Sequence, residues 1–418
     1  MFLDRILYLF LCVYIIGLPS LSDTVKIGSI GFTDCILAFI MLVYMLKIII
    51  SEKTRCRFIE GIKDFFKNYL TVFMSIFAIM MLVSVSYASE KTLAISESLR
   101  FISYIILFFM VKYEWNKKEL LNGILYSYIC SAFIVGIYGL YQHFTGFGLS
   151  NEFKNYGYAK FKIAANMDNP NNLAAFLIIA IFPMIMLIIY ESKKIKKCFY
   201  LLLTCVMFLD LAFTGSRNAI IGAAVGLIVL VILYSAKFII PLLAAGAISM
   251  LVPELRERIM AIDDPVQNQS RIYLWRIAQK MIKDHPVFGV GNGNYVSLYD
   301  RYVQIYPQYK FYGYSRWPSH NSYLKVESEL GIIGGISFAG IIISSLVKVK
   351  SFIDNTKNKF YKYFYTGFFA SMIAFYVMNL FDNLFFVPKT TTYFWLILAV
   401  SQGMMYREKH ESIFLNIF

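Results

Sequence analysis

A chain of 418 residues that is 58% hydrophobic and only 16% charged is too apolar for a soluble domain, where about 25% of residues are charged. Its net charge of +14 comes from Lys and Arg in short connections between apolar runs, so it argues for membrane topology and against nucleic-acid binding. The six cysteines lie in or beside apolar segments with no CxxC pair and no His at ligand spacing, which excludes a disulfide framework and a zinc site.

A bilayer-crossing helix takes roughly 20 mostly apolar residues. In chain order such runs fall at 2–18, 31–50, 69–88, 93–111, 120–142, 173–190, 199–213, 219–234, 238–251, 331–349, 363–381 and 392–406. They predict an all-α polytopic membrane protein of about 12 transmembrane helices, the weakest at 238–251. The first run lacks a small-residue cleavage site and is read as a membrane span, not a signal peptide.

Cation placement orients the bundle. With the N-terminus inside, the inside connections hold 22 of the 40 Lys and Arg, the short outside connections hold eight, and the remaining ten lie in one long interval. Both termini are therefore predicted to be cytoplasmic and the long interval extracytoplasmic. The chain divides into a bundle of helices 1–9 (residues 1–252), an extracytoplasmic loop (253–330) between helices 9 and 10, and helices 10–12 (331–418).

Two outside segments depart from the pattern of short polar loops. In 143–172 the run A-N-M-D-N-P-N-N favours turns and a helix start at Asn171 or Asn172. In the long loop, 271–283 carries apolar residues at Ile272, Trp275, Ile277, Ala278 and Ile282, close to helical spacing. It predicts an amphipathic surface helix ended by Asp284-His285-Pro286, with G-V-G-N-G as an open turn after it. That turn lacks a Walker Lys and a strand–helix context, so it is a weak nucleotide signal.

The candidate functional residues lie in the outside connections. Arg217, in T-G-S-R-N-A between two apolar runs, is costly at membrane depth and suits an anion ligand. Arg271 follows Ser270, a plausible cap, which would place it at a positive helix N-terminus where a diphosphate could bind. Arg276, five residues on, does not share its face and reads as solvated. His320 opens the next span at its outer lip and has the chemistry of a base near neutral pH. Glu327, seven residues later, could share its face, whereas Glu327 and Glu329 point to different faces. Asp382 is a cavity-facing acid or a helix-end cap, and His285 reads as a helix-end residue. Asp263-Asp264 has no second carboxylate cluster in reach, so no metal and no cofactor are assigned. The residues alone describe an outward cationic cavity suited to an anionic, lipid-attached ligand, without separating an enzyme from a transporter.

N-P-N-N-L-A (169–174), T-G-S-R-N-A (214–219), S-R-I-Y-L-W with H-P-V-F-G-V-G-N-G-N-Y, and S-H-N-S-Y-L-K-V-E-S-E-L-G-I-I-G stand in an order that resembles the O-antigen ligase / O-antigen polymerase superfamily of bacterial envelope enzymes. The resemblance implies a GT-C-like, metal-independent, inverting glycosyltransferase in the bacterial inner membrane, with its active site extracytoplasmic. The donor would be an undecaprenyl-diphosphate-linked glycan. The acceptor would be a glycan or lipid A core, and a chain-length regulator is a further partner the resemblance admits alongside membrane lipids. Carried over by motif, Arg217 and Arg271 would bind the diphosphate and His320 would activate the acceptor hydroxyl. Arg276, Asp382, Asn169, Asn172 and Glu327 would support them. Ligase and polymerase are not separated by these motifs. A lipid-linked glycan flippase or exporter, and a protein O-oligosaccharyltransferase of the same superfamily, remain the alternatives.

Overall fold

A computed structural model describes residues 2–415 except 23–24, 28–29, 157–158, 252 and 261–264. The acidic pair Asp263-Asp264 lies outside the described residues. Sixteen α-helices carry the described chain: α1 (Phe2–Ser20), α2 (Phe32–Ile50), α3 (Glu52–Phe65), α4 (Tyr69–Ser84), α5 (Lys91–Phe109, continued by one π-helical turn Met110–Glu114), α6 (Lys118–Thr145), α7 (Pro170–Tyr190), α8 (Lys194–Phe213), α9 (Arg217–Leu233), α10 (Ile239–Leu251), α11 (Pro253–Met260), α12 (Pro265–Asp284), α13 (Tyr295–Ile305), α14 (Ser322–Asn355), α15 (Lys359–Met378) and α16 (Pro388–Leu415). Two short antiparallel strand pairs, Lys26–Ile27 with Ile30–Gly31 and Lys154–Tyr156 with Ala159–Phe161, lie in the connections before α2 and α7.

Each of the twelve apolar runs falls on a helix. Six helices (α1, α2, α5, α6, α7 and α14) are long and apolar enough to cross a membrane, and α3 with α4, bent by 91°, would form a seventh. The chain is a polytopic, all-helical membrane protein. α3, α11 and α13 are additions that the search for apolar runs passed over. α3 is polar on most of its surface and buries only Thr54, Gly61 and Phe65, so a criterion built on 20-residue apolar stretches does not register it.

α7 is the centre of the bundle. Its residues from Leu173 to Met184 are all buried, as expected for a helix apolar on every face. α15 and α8 pack along it. The α15 approach is close because a Cβ at Gly367 would stand 2.3 Å from the Phe182 carbonyl oxygen. Ser371 Oγ, one turn along α15, donates to the Ile178 and Ile179 carbonyls at 2.9 Å. The outer ends of α7 and α15 are thereby held side by side, which fixes the two connections that meet at the site.

The loop 253–330 folds into a second, smaller core of Leu274, Ile277, Ala278, Met281, Val290, Tyr295, Tyr299, Tyr302 and Val303. This corrects two expectations. The buried face of α12 is 274, 277, 278 and 281, the regular i, i+3, i+4, i+7 stripe, whereas Ile272 is exposed. The G-V-G-N-G turn is not open: residues 289–295 are all buried. Val290 and Gly291 N–H groups donate to the Ser328 and Glu329 carbonyls at 2.9 and 2.8 Å. The Glu329 carboxylate accepts from Gly293 N (2.8 Å), Tyr295 N (3.1 Å) and Lys325 Nζ (2.6 Å). The approach requires glycine on both sides, since Gly331 has φ +64° and its Cβ would meet the Val287 oxygen at 2.2 Å. That glycine also breaks α14, setting its outer segment off from its membrane segment. Tyr295 Oη in turn donates to the Leu274 carbonyl at 2.8 Å, tying α12 to the same lock.

Candidate active site

The starts of α7, α9 and α14 and the end of α15 converge with α12 on one polar cluster. His320 stands two residues before α14, whose N-cap is Asn321 with Oδ1 accepting from the Tyr323 and Leu324 amides, both at 3.0 Å. His320 has φ +48°, a conformation that a β-substituted residue adopts only when its surroundings hold it there. They do. Asn383 Oδ1 accepts from Asn321 N (2.9 Å) and Ser319 Oγ (3.2 Å), and Asn379 Oδ1 accepts from Ser322 Oγ (2.6 Å) and Phe385 N (2.8 Å). Two asparagines of the α15–α16 connection therefore stitch it to the segment that carries the histidine.

The result is a short contact between His320 Nδ1 and Asp382 Oδ1, 2.9 Å. Asp382 Oδ1 also accepts from Asn383 N at 2.8 Å, and Oδ2 accepts from Asn171 Nδ2 at 2.9 Å. Burial by itself would raise the Asp382 pKa. The hydrogen bond and charge of His320, with the field of the Arg271 guanidinium, outweigh burial and hold the carboxyl below its usual range. A carboxylate on Nδ1 selects the tautomer with the proton there and leaves Nε2 with its lone pair. Among the described residues nothing hydrogen-bonds to Nε2. The imidazole is partly open, with a quarter of its side chain exposed, against 13% for Asp382.

Arg271 acts on this cluster from α12 through its charge, which helps hold the Asp382 carboxyl low. Trp275, one turn further along α12 and on the same face, donates from Nε1 to the His320 carbonyl at 3.4 Å and lies 6.3 Å from the Phe381 ring. The helix begins at Pro265, not at Ser270. Arg271 is therefore in the second turn, and the expectation that it sits in the field of a helix N-terminus is corrected. Arg276 is exposed and donates to Gln279 on its own helix at 3.1 Å; the structure does not bring it into the cluster.

Arg217 is the first residue of α9, half-buried, behind the cap residue Ser216. Ser216 Oγ accepts from Ala219 N and donates to Asn171 Oδ1 at 2.6 Å. Ser216, Asn171, Asp382 and His320 thus form one continuous relay of polar contacts that joins the α9 start to the histidine. Asn171 is a residue that sequence reasoning missed as a site member, choosing its neighbours instead. Asn169 is the N-cap of α7, Oδ1 accepting from Asn172 N at 3.0 Å, with Pro170 at the first helical position. The α7 start is therefore at Pro170 and not at Asn171 or Asn172. Asn172 is buried, its carbonyl accepting from Thr390 Oγ1 at 3.3 Å. The signal for Asn171 was its register: it is the first-turn residue left over once Asn169 caps and Asn172 faces inward.

Glu327 is half-buried on α14. Because His320 is outside that helix, seven-residue spacing does not put the two on one face. His285 is exposed at the end of α12, as a helix-end residue. Among the described residues no three His, Cys, Asp or Glu side chains come together as a metal site.

Residues 199–339 match the family model described as O-antigen ligase. The matched span contains Arg217, Arg271 and His320, and stops before Asp382. No curated protein matches the chain. The match, over about a third of the chain, supports an assignment to the O-antigen ligase / O-antigen polymerase superfamily.

Proposed function

We propose that the chain is a metal-independent, inverting glycosyltransferase that moves a glycan from undecaprenyl diphosphate to an acceptor sugar at the outer face of the bacterial cytoplasmic membrane, as a ligase or a repeat-unit polymerase. The observation that carries this reading is the His320 Nδ1–Asp382 Oδ1 contact at 2.9 Å, with Nε2 left open and two arginines at the same end of the bundle. A carboxylate-oriented imidazole is built to take a proton, and guanidinium groups are built to hold a diphosphate.

In this reading the acceptor hydroxyl loses its proton to His320 Nε2 as its oxygen forms a bond to the anomeric carbon. The bond from that carbon to the diphosphate oxygen breaks on the opposite side, so the configuration inverts. Charge that develops on the leaving diphosphate is met by Arg217 and Arg271, fixed in place before the reaction and partly shielded from water. Arg217 stands at the start of α9, where the helix dipole adds to its own charge. Asp382 stabilises the imidazolium that forms, and Asn171 holds Asp382. Residues 253–330 would be extracytoplasmic, with both termini on the cytoplasmic side, and the lipid would enter between helices.

The test is transfer by purified protein from undecaprenyl-diphosphate-linked glycan in EDTA, offering lipid A core or a second lipid-linked unit. Product on lipid A core identifies a ligase and a ladder of repeats a polymerase. Loss of product in folded His320→Ala supports the base. Absence of product with every acceptor from folded wild type overturns the reading and favours a lipid-linked glycan flippase or exporter, whereas full activity of His320→Ala overturns the base role of that residue.

A further inference from the structure

The segment between α13 and α14 presents aromatic surface beside the reacting histidine that the proposed chemistry does not use. Tyr314 and Trp317 stack with ring centroids 4.3 Å apart and planes 12° from parallel. The Trp317 ring lies 6.4 Å from the His320 ring. Phe311 packs against Tyr314 at 4.8 Å. Of the four tryptophans, Trp115 and Trp395 are buried, and Trp275 is engaged with the His320 carbonyl, but Trp317 keeps 36% of its surface exposed.

A surface connection between two helices would ordinarily be mobile. This one is clamped. Arg316 makes a two-pronged ion pair to Glu90, in the α4–α5 connection, at 2.6 and 2.9 Å. Its backbone N–H and the Ser315 hydroxyl donate to Asp300 of α13, at 3.2 and 2.9 Å to Oδ2. Arg316 is itself in the left-handed region, φ +51°. Ser315 and Arg316, which lie between the two aromatics, are thus fixed from two sides, and Tyr314 itself packs against the second core. Arg316, between the two aromatics in sequence, is committed to Glu90, and Trp317 keeps an exposed surface.

We infer that Tyr314 and Trp317 are the platform on which the acceptor sugar ring lies while His320 takes its proton; the inference rests on the transferase reading above. The C–H face of a pyranose is apolar with weakly positive hydrogens and complements the negative face of an indole. A ring stacked there holds its hydroxyl edge toward the imidazole. The arginines suited to the donor diphosphate lie on α9 and α12, and the platform lies on a different segment, 310–320. Donor and acceptor therefore meet at His320 from separate elements.

The experiment compares wild type, Trp317→Ala, Trp317→Phe and Tyr314→Ala, each checked for an unchanged melting temperature. Initial rates are measured against acceptor and donor separately. Trp317→Ala is expected to raise the acceptor KM about tenfold, with donor KM and kcat within about twofold. Trp317→Phe, which keeps an apolar ring, stays within about threefold of wild type, and Tyr314→Ala falls between. An acceptor KM unmoved by Trp317→Ala overturns the platform, and so does a loss shared equally by donor and acceptor. A second arm needs no turnover. Lipid-free oligosaccharide released from lipid A core, or from the lipid-linked repeat unit, is titrated while tryptophan fluorescence is followed. Quenching in wild type that disappears in Trp317→Phe supports the platform. Quenching that survives the substitution, or no binding of either sugar at millimolar concentration, overturns it. Sugar binding without transfer to any acceptor would overturn the transferase reading while leaving the platform standing.

Discussion

The two ends of the helix bundle hold buried carboxylates of opposite character. At the end that cation placement predicts to be cytoplasmic, Glu114 on the π-helical turn is 2% exposed and pairs with Lys47 and with Arg57 (2.9 Å), and Lys47 also pairs with Asp4. Beside it Lys112 and Tyr113 both donate to Asp64 at 2.7 Å. That cluster is closed: cations surround the acids, and α1, α2, α3 and α5 are bound together by it. At the other end Asp382 meets a histidine whose second nitrogen has no partner among the described residues, and the imidazole stays partly open. A saturated buried network locks a fold. A network that stops at a group able to take a proton, at the edge of solvent, has one contact left for a substrate.

Substitutions at the two ends should separate these roles. The largest effect is expected from His320→Ala, with kcat down by about 10²–10⁴-fold and the melting temperature unchanged, read by transfer assay and thermal unfolding in detergent. Arg271→Ala comes next at about 10²–10³-fold in kcat. Lys at that position recovers only part, because it lacks the guanidinium fork. At the closed end Glu114→Gln strands Arg57 and leaves Lys47 with Asp4 alone, and is expected to destabilise by about 3–5 kcal/mol, while the kcat of the folded fraction is retained. A catalytic defect in folded Glu114→Gln, or a folding defect in His320→Ala, would break the contrast.

Asp382→Asn sharpens it through pH. The folded-state pKa of Asp382 is lowered, so its charge contributes stability that is fully present above the unfolded value near 3.9 and is lost as pH falls through the folded value. The stability gap between wild type and Asp382→Asn should hold constant from pH 8 to about pH 5 and close only below that. A gap that closes between pH 7 and 6 would show that Asp382 is not the carboxylate described here. The smallest effect concerns Asp210 on α8, which is fully buried with both carboxyl oxygens lacking a hydrogen-bond partner. A Cβ at Gly139 of α6 would stand 2.7 Å from that carboxyl group. Asp210→Asn is expected to stabilise by about 1–2 kcal/mol, and Gly139→Ala to destabilise by about 1–3 kcal/mol, both read as shifts in unfolding temperature.

The contrast between closed and open clusters is invisible in the linear chain, where Glu114, Asp210 and Asp382 are three acids near apolar runs. What separates them is which cations and polar groups the packing delivers. The same holds for Asn171. Four asparagines around one proline announce a helix start, but only the cap at Asn169 decides that Asn172 turns inward and Asn171 reaches Asp382. Arg276 shows the converse: a cation as conspicuous as Arg271 in sequence lies on the wrong face of α12.

The sequence alone determined the helical, membrane-spanning class, and it predicts a side bias and a shortlist of reactive residues. Bilayer span length, short-loop cations and the ordered motifs are local properties, readable without knowing what packs on what. Tertiary structure decided everything that depends on distance across the fold. It brought residues 171, 216, 271, 320 and 382 to one place, buried the G-V-G-N-G turn against Glu329, and set Trp317 beside His320. The reason is that helix periodicity fixes which side chains share a face, whereas the partner of a face is fixed by packing of several helices at once, here around α7.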